Sequence, residues 1–364
     1  MEMKLEKELT ALFDHYYEEH HFSGAGLVKQ GENNVFSGAY GLAHRGFKVP
    51  NRLDTLFDTA SVTKLFTAVA VLQLVDRGMI KLDDRITDII DLTGTKIPAD
   101  VTIAHLLTHT SGIADDADEE EGESYEDLFI SKPNYSIRNC IDFIPQFAYK
   151  EPKFKAGTSV SYNNCAFVLL GLAIEKTTSI SYRDYVRQNI FSACGMKNTS
   201  FSSKDEADAP VAEGYAAVNK ENNEVVWRKN IYSFPPIGTS DGGAFATVGD
   251  LDLFMRALTH GKLLSSEMTR EIMKPQAAIE QKFEWGKIVN GYGFHFVFNH
   301  EGSLIRMSKE GSNPGVAAML AYYPSLNATS IILANQTCNV WELHWKAEQL
   351  LLAAQVAGGS ASCN

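Results

Sequence analysis

A serine hydroxyl becomes a useful nucleophile only when a neighbouring group takes its proton. Ser61-Val62-Thr63-Lys64 offers such a pairing where Leu56-Phe57-Asp58-Thr59-Ala60 runs into the apolar stretch from Leu65 to Leu74. Positions i and i+3 of a helix share a face, so the Lys64 amine reaches the Ser61 hydroxyl, and a helix N-terminus favours negative charge developing there. Desolvation beside a second positive charge lowers a lysine pKa enough for the amine to act as a base. Alone, the pattern equally describes a helix cap followed by a surface lysine. Two further segments add what is missing. In Tyr162-Asn163-Asn164, the phenol of Tyr162 serves as phenolate or as a hydrogen-bond relay, and Asn164 donates its amide to a substrate or orients Lys64. In Lys309-Glu310-Gly311-Ser312, Lys309 adds positive potential that depresses neighbouring pKa values and attracts a substrate anion, and Gly311 lets backbone and substrate approach closely. Apart from the rest, Tyr162 reads as a half-buried loop residue and the Lys309 segment as a turn between strands.

These segments need a scaffold. Leu5, Leu9, Leu12, Phe13 and Tyr16 recur at helical spacing and predict a first helix lying on a sheet. Gly24 to Lys29 and Asn34 to Tyr40, separated by Gly31-Glu32-Asn33, predict a hairpin. Leu65 to Leu74 predicts a helix that stops at Gly78 after Arg77. From about Lys81 to Met196 the pattern is of short helices and loops. Strand patterns return at Tyr292 to Asn299, Ser303 to Ser308, Val316 to Tyr323 and Ser330 to Asn335, before a helix from about Val340 to Ala354. The order sheet, helices, sheet implies an α/β (α+β) chain with a central, largely antiparallel sheet flanked by helices. Residues 1–77 and 197–364 would form a split α/β domain, and 78–196 an inserted, mainly helical one, with the active site between them.

Taken together, the three segments resemble the penicillin-recognising serine hydrolases, and among them the branch of class C β-lactamases, D-alanyl-D-alanine carboxypeptidases, D-aminopeptidases and related esterases. The S-x-x-K, Y-x-N and K-[TS]-G or H-x-G motifs of that family fall in order, and Ile103 to Ile113, Asp241 to Thr247 and Ala321 to Pro324 also look like it. The resemblance covers about Gly24 to Asn335 and implies a β-lactamase/transpeptidase-like fold. It implies Ser61 as nucleophile with Lys64 and Tyr162 as proton-handling partners, Asn164 beside them, and Lys309 and Gly311 in the third motif. The oxyanion hole would be the backbone N–H groups of Ser61 and Ser312. No metal or organic cofactor is called for. The implied activity is cleavage of esters, amides or D-amino-acid peptides through an acyl-enzyme on Ser61; the alternative is a penicillin-binding or sensor protein that acylates without turning over. One position departs from the pattern: Glu310 stands where relatives carry a small residue. An acid facing the cleft would repel carboxylate-bearing substrates, so weak or no β-lactamase activity is expected.

Composition sets the outer bounds. The 364 residues are 45% apolar and 21% charged, ordinary globular proportions. A net charge of −12 disfavours nucleic acid and anionic lipid as partners; a small molecule or short peptide as substrate is what the resemblance implies. No apolar run reaches the length of a membrane span, and Met1 to His21 lacks the apolar core of a signal peptide. The expectation is a cytoplasmic protein, with export still open if a signal preceded this sequence. The five cysteines include no C-x-x-C pair and read as mostly reduced. Nine acids between Asp115 and Asp127 read as a solvated, mobile loop rather than a metal site, and Gly358 to Ser362 as a disordered tail. Gly238-Thr239-Ser240-Asp241-Gly242 matches a nucleophile elbow, but Pro235-Pro236 precedes it, where that turn requires a central strand. His105 and His109 share metal-ligand spacing, yet Leu106 replaces the glutamate such a site needs, so both read as structural.

Overall fold

The computed structural model describes residues 2–361 except 119–121, 124, 208 and 220–224. Among the described residues five helices exceed ten residues: α1 (Glu2–His20), α2 (Lys64–Asp76), α3 (Asn164–Thr178), α4 (Val248–Thr259) and α5 (Val340–Ala361). Eight strands form the main sheet: β1 (Gly24–Gln30), β2 (Asn33–Tyr40), β3 (Glu280–Phe283), β4 (Gly286–Asn290), β5 (His295–Phe298), β6 (Leu304–Asn313), β7 (Val316–Tyr323) and β8 (Ala328–Ala334). Their order is β2-β1-β8-β7-β6-β5-β4-β3, with every neighbouring pair antiparallel. The expected sheet class is therefore found.

Alternation along the strands divides two cores. Ala318 and Leu320 of β7 join α2, α3 and α4 on one face, while Ala317, Ala321 and Tyr323 face Leu9 and Phe13 of α1 and Leu343 and Ala347 of α5 on the other. Every residue from Lys64 to Leu74 is buried, so α2 is covered on all sides and runs through the interior. Gly78, at φ +66°, takes the left-handed conformation that ends it. From Gly78 to Met196 the described residues form helices and turns and contribute no strand to the main sheet.

Two expectations need correction. Strand β6 does not stop at Ser308 but continues to Asn313, pairing Lys309 with Leu320 and Gly311 with Ala318. The third motif thus lies within a strand, and Gly311 serves there the close approach expected of it. Helix α5 continues through Gly358 to Ala361, since each further residue adds a helical bond without a new nucleation cost. Among the described residues no helix is long and apolar enough to cross a membrane, and Cys140, Cys165, Cys194 and Cys338 are free thiols.

Candidate active site

Ser61 sits on a 3-10 turn, Ala60–Thr63, that leads directly into α2. Side chains three apart eclipse in such a turn, which sets Lys64 Nζ 3.1 Å from Ser61 Oγ. Ala60 holds a left-handed φ of +41°, unfavourable for alanine. Its N–H donates to Asp58 Oδ1 at 2.8 Å and its carbonyl accepts from Gly243 N–H, so the surroundings hold the turn in place.

Tyr162 donates its hydroxyl to Ser61 Oγ at 2.6 Å. Burial raises its pKa, opposed by Lys64 and by the bond to Ser61, so the resting group is a phenol. Asn164 opens α3 and accepts from Lys64 Nζ at 2.6 Å through Oδ1. The Asp241 carbonyl accepts from the same ammonium at 2.5 Å. Two carbonyls therefore hold two of the three Lys64 protons, and the third position faces Ser61. Loss of that proton leaves an amine whose lone pair addresses the serine.

Lys309 is fully buried, with Nζ 4.7 Å from the centroid of the Tyr162 ring. Burial and the nearby Lys64 pull its pKa down to about 7. Gly311 lies against the nucleophile turn: a Cβ there would stand 2.3 Å from the Thr59 carbonyl oxygen and 3.0 Å from Ser61 N. Ser312 follows and lines the cleft. Glu310 does not join them. It points from the opposite face of β6, where its carboxylate accepts from Trp341 Nε1 of α5 at 2.6 Å. Side-chain alternation in a strand sends Lys309 and Gly311 to one face and Glu310 to the other, so it cannot repel a substrate across the cleft as expected.

The acidic run is also not wholly a solvated loop. Asp115 and Asp116 are buried, and Asp115 accepts from the N–H groups of Asn164 at 2.9 Å and Cys165 at 3.0 Å, fixing the start of α3. Residues 119–121 and 124 lie outside the described residues. Ser240 is fully buried, its hydroxyl 3.3 Å from Cys140 Sγ, which removes it as a rival nucleophile. His105 completes a capping box with Thr102. The Asp241 carbonyl escapes sequence reasoning because any residue type supplies one.

The cleft beside Ser61 has walls that include Phe129, Phe143, Phe234, Pro235 and Pro236. Among the described residues Asp58, Asp116, Asp241 and Lys204 are the charged ones lining it.

The β-lactamase family profile matches residues 9–355. Penicillin-binding protein 4* of Bacillus subtilis (strain 168) is 26% identical over 358 residues, covering 92% of this chain and 73% of that protein. Esterase EstB of Burkholderia gladioli is 31% identical over 283 residues, covering 70% of this chain and 69% of its own. The crystal structure of a penicillin binding protein from Bacillus halodurans superposes with a TM-score of 0.85 at 34% identity, covering 94% of this chain and 99% of that one. The chain belongs to the β-lactamase family, as a serine hydrolase with the β-lactamase/transpeptidase-like fold.

Proposed function

We propose that Ser61 attacks the carbonyl carbon of an ester or amide that bears no carboxylate and whose acyl part is apolar. The Oγ–C bond forms as the serine proton passes to the Lys64 amine. Collapse of the tetrahedral intermediate breaks the bond to the leaving group, which leaves with a proton relayed through the Tyr162 phenol. Water then attacks the acyl-enzyme, its proton taking the same route, and Ser61 is restored. The Ser61 and Ser312 N–H groups stabilise the oxyanion. Lys309 keeps positive potential over the phenol, and Asn164 holds Lys64. The observation that carries this reading is the convergence of Lys64 Nζ and Tyr162 OH on one serine oxygen, at 3.1 and 2.6 Å, beside an open cleft.

Aromatic and proline side chains in the cleft favour an apolar acyl group by burial. Among the described lining residues three aspartates stand against one lysine, so a substrate carboxylate meets no cationic surplus there. The named relatives include both a penicillin-binding protein and an esterase, so substrate class is the decisive measurement. Nitrophenyl phenylacetate, a D-phenylalanyl anilide and a chromogenic cephalosporin should be assayed in parallel, with intact-mass detection of the acyl-enzyme. The reading expects turnover of the first two, slow or no turnover of the third, and a covalent adduct that maps to Ser61. Efficient cephalosporin hydrolysis overturns the substrate assignment. An adduct elsewhere, or full activity in Ser61→Ala, overturns the site.

A further inference from the structure

His109 holds Tyr162 from three directions at once. Its carbonyl accepts the N–H of Ser161 at 3.1 Å. Its ring lies against the Tyr162 ring, centroids 4.6 Å apart and 34° between planes. Its Nδ1 accepts the N–H of Asn163 at 3.2 Å. Three consecutive residues, with the phenol at the centre, are thereby fixed to one side chain and its backbone. The histidine is itself locked: it is 2% exposed, its ring also packs on Phe167 at 5.1 Å, and it takes a left-handed φ of +58°. A non-glycine residue in that region costs free energy and persists where its surroundings determine it. The Thr110 carbonyl accepts Gly157 N–H and the Gly112 carbonyl accepts Lys153 N–H, so the whole turn is sewn to the segment leading to Tyr162.

We propose that His109 is a positioning residue for catalysis, a neutral imidazole that sets the angle and depth of the Tyr162 ring so that its oxygen meets Ser61. This inference rests on Tyr162 carrying the proton. Because Nδ1 accepts a hydrogen bond, the ring proton lies on Nε2, which has no hydrogen-bond partner among the described residues. The charged and titratable groups around it are Lys309 of β6, Lys64 of α2, His295 of β5 and Tyr162 itself. Burial, followed by Lys309 and Lys64, holds the imidazole well below its usual pKa. A further positive charge beside Lys309 and Lys64 is disfavoured, so the ring supports the phenol without competing for its proton.

The test is a double-mutant cycle. Asn tolerates the left-handed backbone and places Oδ1 near the position of His Nδ1, so His109→Asn removes the ring while keeping the turn and an acceptor. Its kcat on nitrophenyl phenylacetate should fall roughly 10- to 100-fold with KM within about twofold, since a small displacement of a reacting group costs rate before affinity. In a Tyr162→Phe background the same substitution should change kcat less than about twofold. Equal losses in both backgrounds, or a wild-type rate in His109→Asn, overturn the proposal. If Tyr162→Phe alone retains full activity, the role of Tyr162 fails first, and the two failures are told apart. A reading independent of the variant's folding comes from ¹⁵N imidazole spectra of the unaltered protein. A neutral, Nε2-protonated ring from pH 5 to 9 is expected, and an imidazolium appearing in that range refutes the assignment.

Discussion

Replacing Gly311 by alanine tests whether the close approach of β6 to the nucleophile turn builds the oxyanion hole. The new methyl carbon would begin 2.3 Å from the Thr59 carbonyl oxygen, 3.0 Å from Ser61 N and 3.1 Å from Ala60 Cβ. Carbon and oxygen without a conventional hydrogen bond settle near 3.3 Å, so strand and turn must part by about 1 Å. The two nearest atoms belong to backbone and the third is a Cβ, so no side-chain rotation relieves them. The strand carries Ser312, and the turn carries Ser61. Their N–H groups would therefore separate by a distance larger than the roughly 0.4 Å range over which an oxyanion donor works. Losing one donor lowers kcat by roughly 10²–10³, or about 2.7–4 kcal/mol in the barrier, while overpacking costs about 1–3 kcal/mol of stability. Single-turnover acylation by a nitrophenyl ester, followed by intact mass, measures the first quantity, and urea unfolding measures the second. A folded Gly311→Ala enzyme that acylates within about threefold of the unaltered rate refutes the reasoning, because the strand would then not set donor geometry.

Three further outcomes are expected. Lys64→Ala and Tyr162→Phe should each slow acylation by roughly 10²–10⁴, and the double variant should be little worse than the poorer single one; multiplicative losses would show separate roles. Lys309, with its pKa lowered to about 7 from 10.5, binds fewer protons folded than unfolded between those values, so its contribution to stability rises with pH across that window. Urea midpoints at pH 6.5 and 9 should show a smaller rise in Lys309→Met than in the unaltered protein, and that variant should lose esterase activity. Glu310→Thr should leave the preference between carboxylate-bearing and neutral substrates unchanged while costing about 1–2 kcal/mol through the unpartnered Trp341 indole, measured by specificity ratios and urea midpoints.

Ser61, Lys64, Tyr162 and Lys309 are legible in the sequence because each acts through a distinctive functional group in a local spacing. The antiparallel sheet is legible for a related reason: Val316 to Tyr323 and its neighbours are compact β-prone runs whose type is decided locally. Glu310 misleads because adjacency along a strand places residues on opposite faces, and the face is set by pairing with β7 and by α5 far along the chain. His109 is hidden differently. Its work passes through a carbonyl, a ring face and an accepting nitrogen toward a segment some fifty residues away, and no spacing rule describes that relation. Asp115 reads as one of nine acids until the start of α3 is seen resting on it.

The pairing of β1 with β8 also constrains how the molecule comes into being. Gly24 meets Ala334, a separation of 310 residues, and β1 lies between β2 and β8. At roughly 5–20 residues per second of synthesis, the partner of β1 emerges about 15–60 seconds after it. During that interval the β1–β2 hairpin has a bare edge of backbone donors and acceptors, with Leu27 and Val28 uncovered. Such an edge recruits other strands. A newborn chain thus carries an adhesive edge that its finished form conceals, and the edge stays bare until β8, close to the end of the chain, is made.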